Sequence, residues 1–542
     1  MTYVAPIADM RYALEACADL WRVRERFADL DADLLAAILD GAAALAGETI
    51  APLNRSGDRA GVRFENGVVR AAPGFREAYE AFKQGGWQGL AADPAYGGQG
   101  LPRAVALAVF ETLHGANMSF ALLPMLTLGA IEAIEQHGAP DQKKLYLERL
   151  ISGEWSGTMN LTEPQAGSDL GALTTKAVPQ ADGSYAITGQ KIFITWGEHD
   201  LAPNIIHLVL ARIEGAPAGS KGISMFIVPK FRDEDDSRNA VRCIGVEEKM
   251  GIHASPTCTM AYERATGWLI GQENRGLAAM FTMMNAARLN VGMSGVGVAE
   301  AAYQKSLAYA RERRQGGAFI IEHPDVRRML ATMRAKIQAG RAICYAAAVA
   351  GDAGDKAMED LLTPIAKAWC TDLGVEAASL GVQVHGGMGY VEEGGAAQFY
   401  RDARIAPIYE GTNGIQAIDL YGRKLLGDRG ETMRRLFADA AHAAVDAADK
   451  QIGRRLATAA ESLEAATQHM LSAPRPDALA GASAYLALAG DVAGGMLLAR
   501  GLERGGGSEQ AALLRFYAEA VLSHADARLG EVRVGAEVLN AM

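Results

Sequence analysis

The segment with the greatest chemical potential runs Ile405-Ala406-Pro407-Ile408-Tyr409-Glu410-Gly411-Thr412-Asn413-Gly414-Ile415-Gln416. A carboxylate follows an apolar Ile-Tyr and leads through Gly-Thr-Asn-Gly into a helical pattern. Such a carboxylate can accept a proton; alone, the segment equally describes a solvated loop acid or a helix cap. A second cluster, Met159-Asn160-Leu161-Thr162-Glu163-Pro164-Gln165-Ala166-Gly167-Ser168-Asp169, gathers turn-forming residues. Its backbone N–H groups and the hydroxyls of Thr162 and Ser168 suit a phosphate or a flavin's polar edge. The third, Gln383-Val384-His385-Gly386-Gly387-Met388-Gly389-Tyr390, has three glycines where backbone can approach a ligand closely. By itself it is an ordinary helix end, with His385 structural.

These segments need elements to position them. From Asp31 to about His137 the pattern is helical, broken by a Gly/Pro-rich loop between Gly85 and Pro102. Near Gly157 the character changes to short β-branched and aromatic runs separated by turns, including Lys191 to Thr195, Ile205 to Ile213 and Ile223 to Val228. Helical periodicity returns at Gly276 and holds to about Leu426, with Pro364 near the start of one segment. Gly292-Met293-Ser294-Gly295-Val296-Gly297 imitates a dinucleotide loop, but it follows a helical run where such a loop must follow a strand; close helix packing is expected instead. In the last stretch Leu456, Ala459, Leu463, Ala466 and Met470 mark one face of an amphipathic helix that Pro474 and Pro476 end.

The expected domains are therefore an N-terminal helical domain with its extension (1–156), a β domain (157–275), a helical bundle with the Glu410 loop (276–429) and an additional helical domain (430–542). This is an α+β multidomain chain, since segregated runs of helices and strands argue against a doubly wound sheet. Its 542 residues carry a net charge of −11, with 49% hydrophobic and 22% charged residues. That excludes a disordered chain and argues against a nucleic-acid partner. The five cysteines lie far apart with no CxxC pair, supporting neither disulfides nor a metal site. The start, MTYVAPIADMR, lacks a secretion signal, so a cytoplasmic protein is expected. Ala480 to Ala499 is apolar but interrupted by Asp491 and four glycines; it predicts a packed helix pair and no integral membrane span.

Three such segments in this order, around a β domain flanked by helices, resemble the acyl-CoA dehydrogenase family. The resemblance covers roughly Asp31 to Leu426 and is carried further by Trp87-Gln88-Gly89-Leu90 and Tyr96-Gly97-Gly98-Gln99-Gly100. The extra C-terminal segment and Gly251-Ile252-His253-Ala254-Ser255-Pro256-Thr257-Cys258 look like one long-chain subgroup. The resemblance implies an N-terminal helical domain, a central β barrel and a C-terminal four-helix bundle, with FAD as cofactor.

It also implies roles. Met159, Leu161, Thr162 and Ser168 would line the flavin and pantetheine path. Phe193, Ile194 and Thr195 match the strand beside the isoalloxazine ring, with Phe in place of the family's Trp. Arg313 would meet the FAD pyrophosphate of a neighbouring subunit, although Gly316-Gly317 leave Arg314 as the alternative register. Gln383, His385, Gly386 and Gly387 would contact the adenine–ribose end, and Thr412 and Asn413 also belong to the flavin site. Ser168, Arg288 and Gly411 would meet the acyl-CoA substrate. Glu410 matches the family's base; Ala287, where some members carry theirs, cannot act as one.

The implied reaction is α,β-dehydrogenation of an acyl-CoA thioester to the trans-2-enoyl-CoA. Glu410 would take the α-proton and flavin N5 the β-hydride. The substrate is either 3-methylthiopropionyl-CoA-like or a straight-chain fatty acyl-CoA. Electron-transferring flavoprotein is the implied partner, in a homodimer or dimer of dimers. An oxygen-using acyl-CoA oxidase or related flavin enzyme, and a catalytically silent helical scaffold, are the alternatives.

Overall fold

The computed structural model describes residues 3–232 and 237–542. It divides into two compact units, one of Ala44–Leu101 with Asn117–Ala287, the other of Met1–Ala43, Pro102–Ala116 and Arg288–Met542.

In the first unit a short hairpin, β1 (Arg63–Glu65) and β2 (Val68–Arg70), precedes the main sheet. That sheet comprises β3 (Ser156–Asn160), β4 (Lys176–Pro179), β5 (Tyr185–Thr195), β6 (Ile205–Ile213), β7 (Ile223–Pro229), β8 (Val241–Val246) and β9 (Thr257–Ile270). Pairing runs β6–β4–β5–β9–β7 and returns from β7 to β6, so five strands close a barrel. β3 pairs in parallel with β6, and β8 lies along β9. Closure removes the unpaired edges that an open sheet would expose. Val209, Ala211, Phe226, Val228, Met260 and Ile187 fill the barrel core, which Val69 of the hairpin joins. The Arg63–Arg70 hairpin has no counterpart in the helical pattern expected there.

The second unit is helical. Its long members include residues 288–312 of the helix Gly276–Glu312, the 29-residue Pro324–Asp352 and the 30-residue Lys356–His385, and Asn413–Asp419 runs on through a wider turn to Leu425. The glycine-rich stretch is helix, as expected, and the reason is steric. A methyl group at Gly295 would lie 2.1 Å from the carbonyl oxygen of Cys370, and one at Gly292 2.8 Å from that of Ala366. Helix backbones there nearly touch. Pro364 sits inside Lys356–His385, deeper than the sequence suggested.

The added segment forms Glu431–Asp446, Lys450–Ser472, Arg475–Glu503, Ser508–Ala520 and shorter helices. Leu456, Ala459, Leu463, Ala466 and Met470 are all fully buried, on one face as their spacing predicts. Arg475–Glu503 is one continuous helix, which corrects the expected pair. Its glycines interrupt nothing because they serve close packing: a methyl group on Gly490 would lie 2.4 Å from the Trp369 ring. Asp491 is buried and accepts a hydrogen bond from Trp369 Nε1 at 2.9 Å. Three helices, Ala32–Ala60, Met118–His137 and Arg475–Glu503, are long and apolar enough to cross a membrane. The apolar windows of the last two are 89% and 83% buried inside the protein, that of the first 28%.

Candidate active site

Glu410 stands on the loop between Ala396–Ala403 and Asn413–Asp419. Two successive residues, Glu410 (φ +57°) and Gly411 (φ +82°), adopt the left-handed conformation. For a residue with a Cβ this costs about 1–2 kcal/mol, so the surroundings must hold it. They do so by hydrogen bonds. Gln416 Nε2 donates to the carbonyls of Glu410 (3.2 Å) and Gly411 (3.1 Å). Thr412 caps the following helix through Ile415 N–H. The Asn413 side-chain amide donates to Asp372 at 2.8 Å, to Thr371 and to the Ala368 carbonyl, pegging the loop to Lys356–His385.

Among the described residues, no donor pairs with the Glu410 carboxylate and no acceptor takes its backbone N–H. Burial pushes this carboxyl up to about 7, against the opposing charges of Arg288 and then Lys367. Arg288 is buried and donates to Asp419 at 3.0 Å; a methyl group on Gly411 would lie 3.6 Å from its guanidinium. The loop thus offers a half-buried carboxylate whose ionisation is shifted up toward neutral pH and, on the same residue, an N–H that bonds to no acceptor among the described residues.

In the barrel unit, the turn of Leu161 to Asp169 follows β3 and leaves Ser168 exposed, with Leu161 and Thr162 half-buried. It is fixed by Glu163, which accepts from Thr174, Thr175 and Lys191, the last at 2.8 Å. Lys191 also donates to the Leu161 carbonyl, and Thr162 accepts Ile192 N–H. Phe193 sits at a register shift of β5 with φ +60° and its side chain 58% exposed. An aromatic ring held out from a barrel by a left-handed backbone is a ready face for a planar ligand. Thr195 is half-buried, whereas Ile194 and Met159 are buried and offer a ligand mainly backbone.

In the helical unit Gln383, Gly386 and Gly387 are exposed, and methyl groups on the two glycines would meet nothing within 4 Å. Arg313 is exposed; Arg314 instead lies 4.5 Å from the Phe319 ring centre and donates to the Gly317 carbonyl, which favours Arg313 as the open arginine. His385 departs from the expectation of a ligand contact. Its ring is buried, stacked on Tyr309 at 4.4 Å and bonded to the Gly381 carbonyl at 2.7 Å. Asn413 likewise has its amide committed to the bundle helix.

Sequence reasoning missed Lys367 and Asp419 and gave Gln416, at the end of the loop motif, no role of its own. Each had a signal, since each is a polar residue within an otherwise apolar helical stretch, where polar side chains are buried only when partnered.

Family comparisons agree with this arrangement. The acyl-CoA dehydrogenase N-terminal domain matches residues 34–154, the middle domain 158–265 and the C-terminal domain 274–425; residues 432–542 match the acetyl-CoA dehydrogenase C-terminal-like domain. The chain belongs to the acyl-CoA dehydrogenase family, and its activity is FAD-dependent dehydrogenation of an acyl-CoA thioester. It is 47% identical to a 3-methylmercaptopropionyl-CoA dehydrogenase of Ruegeria pomeroyi over 92% of this chain and 90% of that protein. It is 36% identical to the broad-specificity linear acyl-CoA dehydrogenase FadE5 of Mycobacterium tuberculosis, covering 74% of this chain and 72% of that protein. Caenorhabditis elegans ACDH-11, solved in complex with C11-CoA, shares the fold with a TM-score of 0.81 at 20% identity, covering all of this chain and 94% of that one. Within the barrel unit, the open Phe193 face and the exposed Ser168 suit a planar cofactor with polar edges.

Proposed function

We propose that Glu410 is the base of the reaction and that 3-methylmercaptopropionyl-CoA, or a thioester of similar length, is the substrate. The carboxylate supports the first part: it is half-buried, raised to about 7 and engaged by no donor among the described residues. A weakly acidic α-proton needs a base whose pKa lies near working pH and whose lone pairs are available. The free backbone N–H of Glu410 lies beside it and can donate to the thioester carbonyl as enolate character develops. Arg288, paired with Asp419, borders Gly411 and would orient the thioester end of the substrate. FAD, when bound, supplies the acceptor for the β-hydride. Leu161, Thr162, Ser168, Phe193 and Thr195 would hold it from the barrel; Arg313, Gln383, Gly386 and Gly387 would reach the cofactor of a second copy. Met159 and Ile194 would add backbone contacts from the barrel, and Thr412 and Asn413 hold the Glu410 loop within the helical unit.

The 47% identical relative supports the substrate assignment. The broad-specificity linear relative favours a second reading, straight-chain acyl-CoA. A panel of acyl-CoA thioesters assayed with an artificial electron acceptor separates them. The proposal expects the highest kcat/KM with 3-methylmercaptopropionyl-CoA; a maximum at long straight chains would replace it. The electrons would leave to electron-transferring flavoprotein, and peroxide formed in air without added acceptor would point to an oxidase instead. The five free, buried cysteines support work in the cytoplasm.

A further inference from the structure

Lys367 lies in the apolar run Leu361 to Trp369 of the helix Lys356–His385, and its side chain is fully buried. Removing an ammonium from water costs several kcal/mol, so packing alone would favour an apolar residue of the same length. Its partners are neutral: Nζ donates to the Gly411 carbonyl at 2.9 Å and to Asn413 Oδ1 at 2.9 Å. Both acceptors belong to the loop that carries Glu410, and among the described residues no carboxylate is in ion-pair contact with it.

We propose that Lys367 is a positioning residue for the dehydrogenation. Its ammonium ties the Gly411 carbonyl to the Asn413 side chain, fixes the two-residue left-handed turn that presents Glu410, and sets a positive charge beside that carboxylate. The inference rests on the reading of Glu410 as the base. The charges around Glu410 make the lysine distinctive. Arg288 comes from Gly276–Glu312 and acts on Glu410 more strongly than the lysine does, while sharing Asp419 with Arg423. Asp372, on the lysine's own helix, bonds to Asn413. Tyr409, the neighbouring residue, is held neutral by burial. Of the two cations acting on Glu410, Lys367 is the one without a contact ion pair among the described residues, held by the Glu410 loop itself. Burial draws its own pKa down to about 7, helped by Arg288, with Glu410 and Asp372 pulling the other way. Lysine and carboxylate therefore titrate as an interacting pair, and removing the lysine charge raises the carboxylate.

The test uses the FAD-loaded enzyme. Lys367→Gln and Lys367→Met are compared with Lys367→Arg after matching flavin content and thermal unfolding. The acid limb of kcat/KM should move up by about one pH unit in Gln and Met, a roughly tenfold loss on that limb, with kcat falling more than KM rises. Lys367→Arg should return the limb toward wild type. Independently of turnover, an infrared difference titration against Glu410→Gln should show the protonated carboxyl persisting to higher pH in Lys367→Gln. An acid limb and carboxyl titration unchanged in both Gln and Met would overturn the proposal, leaving the lysine a purely structural group. If Glu410→Gln itself keeps wild-type turnover, the base assignment fails instead, and the two failures are distinguished.

Discussion

Two buried lysines, one in each unit, meet two carboxylates and leave them in opposite states. In the barrel unit, Lys191 contacts Glu163 at 2.8 Å while two threonines add four further donors. Burial alone would raise Glu163, but Lys191 and these donors overcome it and carry the carboxyl down to about 2. In the helical unit, Lys367 touches carbonyl oxygens and reaches Glu410 only through space. There burial wins, and the carboxyl rises to about 7. Burial is common to both; hydrogen bonds to the ionised form separate a permanent structural anion from a group that can exchange its proton.

The largest predicted effect breaks the structural member of this comparison. Glu163→Gln strands the Lys191 ammonium in the interior and should cost about 3–5 kcal/mol, measured by thermal or denaturant unfolding. Adding Lys191→Met should recover part of that loss, because no buried charge remains unpaired. No recovery in the double variant would mean that the threonine network, and not the ion pair, holds the turn.

Glu410→Gln should act with the opposite sign on stability. An unfolded glutamate ionises near 4.5, whereas the folded one does so near 7. Between these values the folded state keeps a proton that the unfolded chain has released, so ionisation increasingly penalises the fold as pH rises. The amide should therefore stabilise the protein by up to about 3 kcal/mol above pH ~7 and by nothing below pH ~4.5. Unfolding curves across that range check it; equal effects at both ends would deny the raised carboxyl. A smaller effect is expected from Asn413→Ala. It removes the peg to Asp372, Thr371 and Ala368 and one acceptor from Lys367, and should cost about 1–3 kcal/mol while lowering kcat. Calorimetry together with a rate measurement reads both.

Much of this organisation was legible in the sequence because it is local. The face Leu456 to Met470 follows from the helical period, and the glycines from Gly292 to Gly297 announce helix contact because no strand precedes them. The motif segments marked the Glu410 loop and the turn after β3. What could not be read depends on long-range partners. Barrel closure needs β6 to pair in parallel with β4 and antiparallel with β7, which strand patterns do not encode. The role of Asn413 rests on Ala368, Thr371 and Asp372, more than 40 residues away. His385 looked available beside open glycines, and only the stacked Tyr309 ring shows that it is not. The apolar helix Arg475–Glu503 looked broken because its glycines signal turns in isolation but become contact points once Trp369 lies against them.

The central claim is that Glu410 removes the substrate's α-proton. The direct measurement is anaerobic mixing of 3-methylmercaptopropionyl-CoA with wild type and Glu410→Gln of equal FAD content, following the loss of flavin absorbance. Wild type should bleach readily, and the variant should bleach slower by a factor on the order of 100 to 10,000. Bleaching of the variant at the wild-type rate would contradict the account.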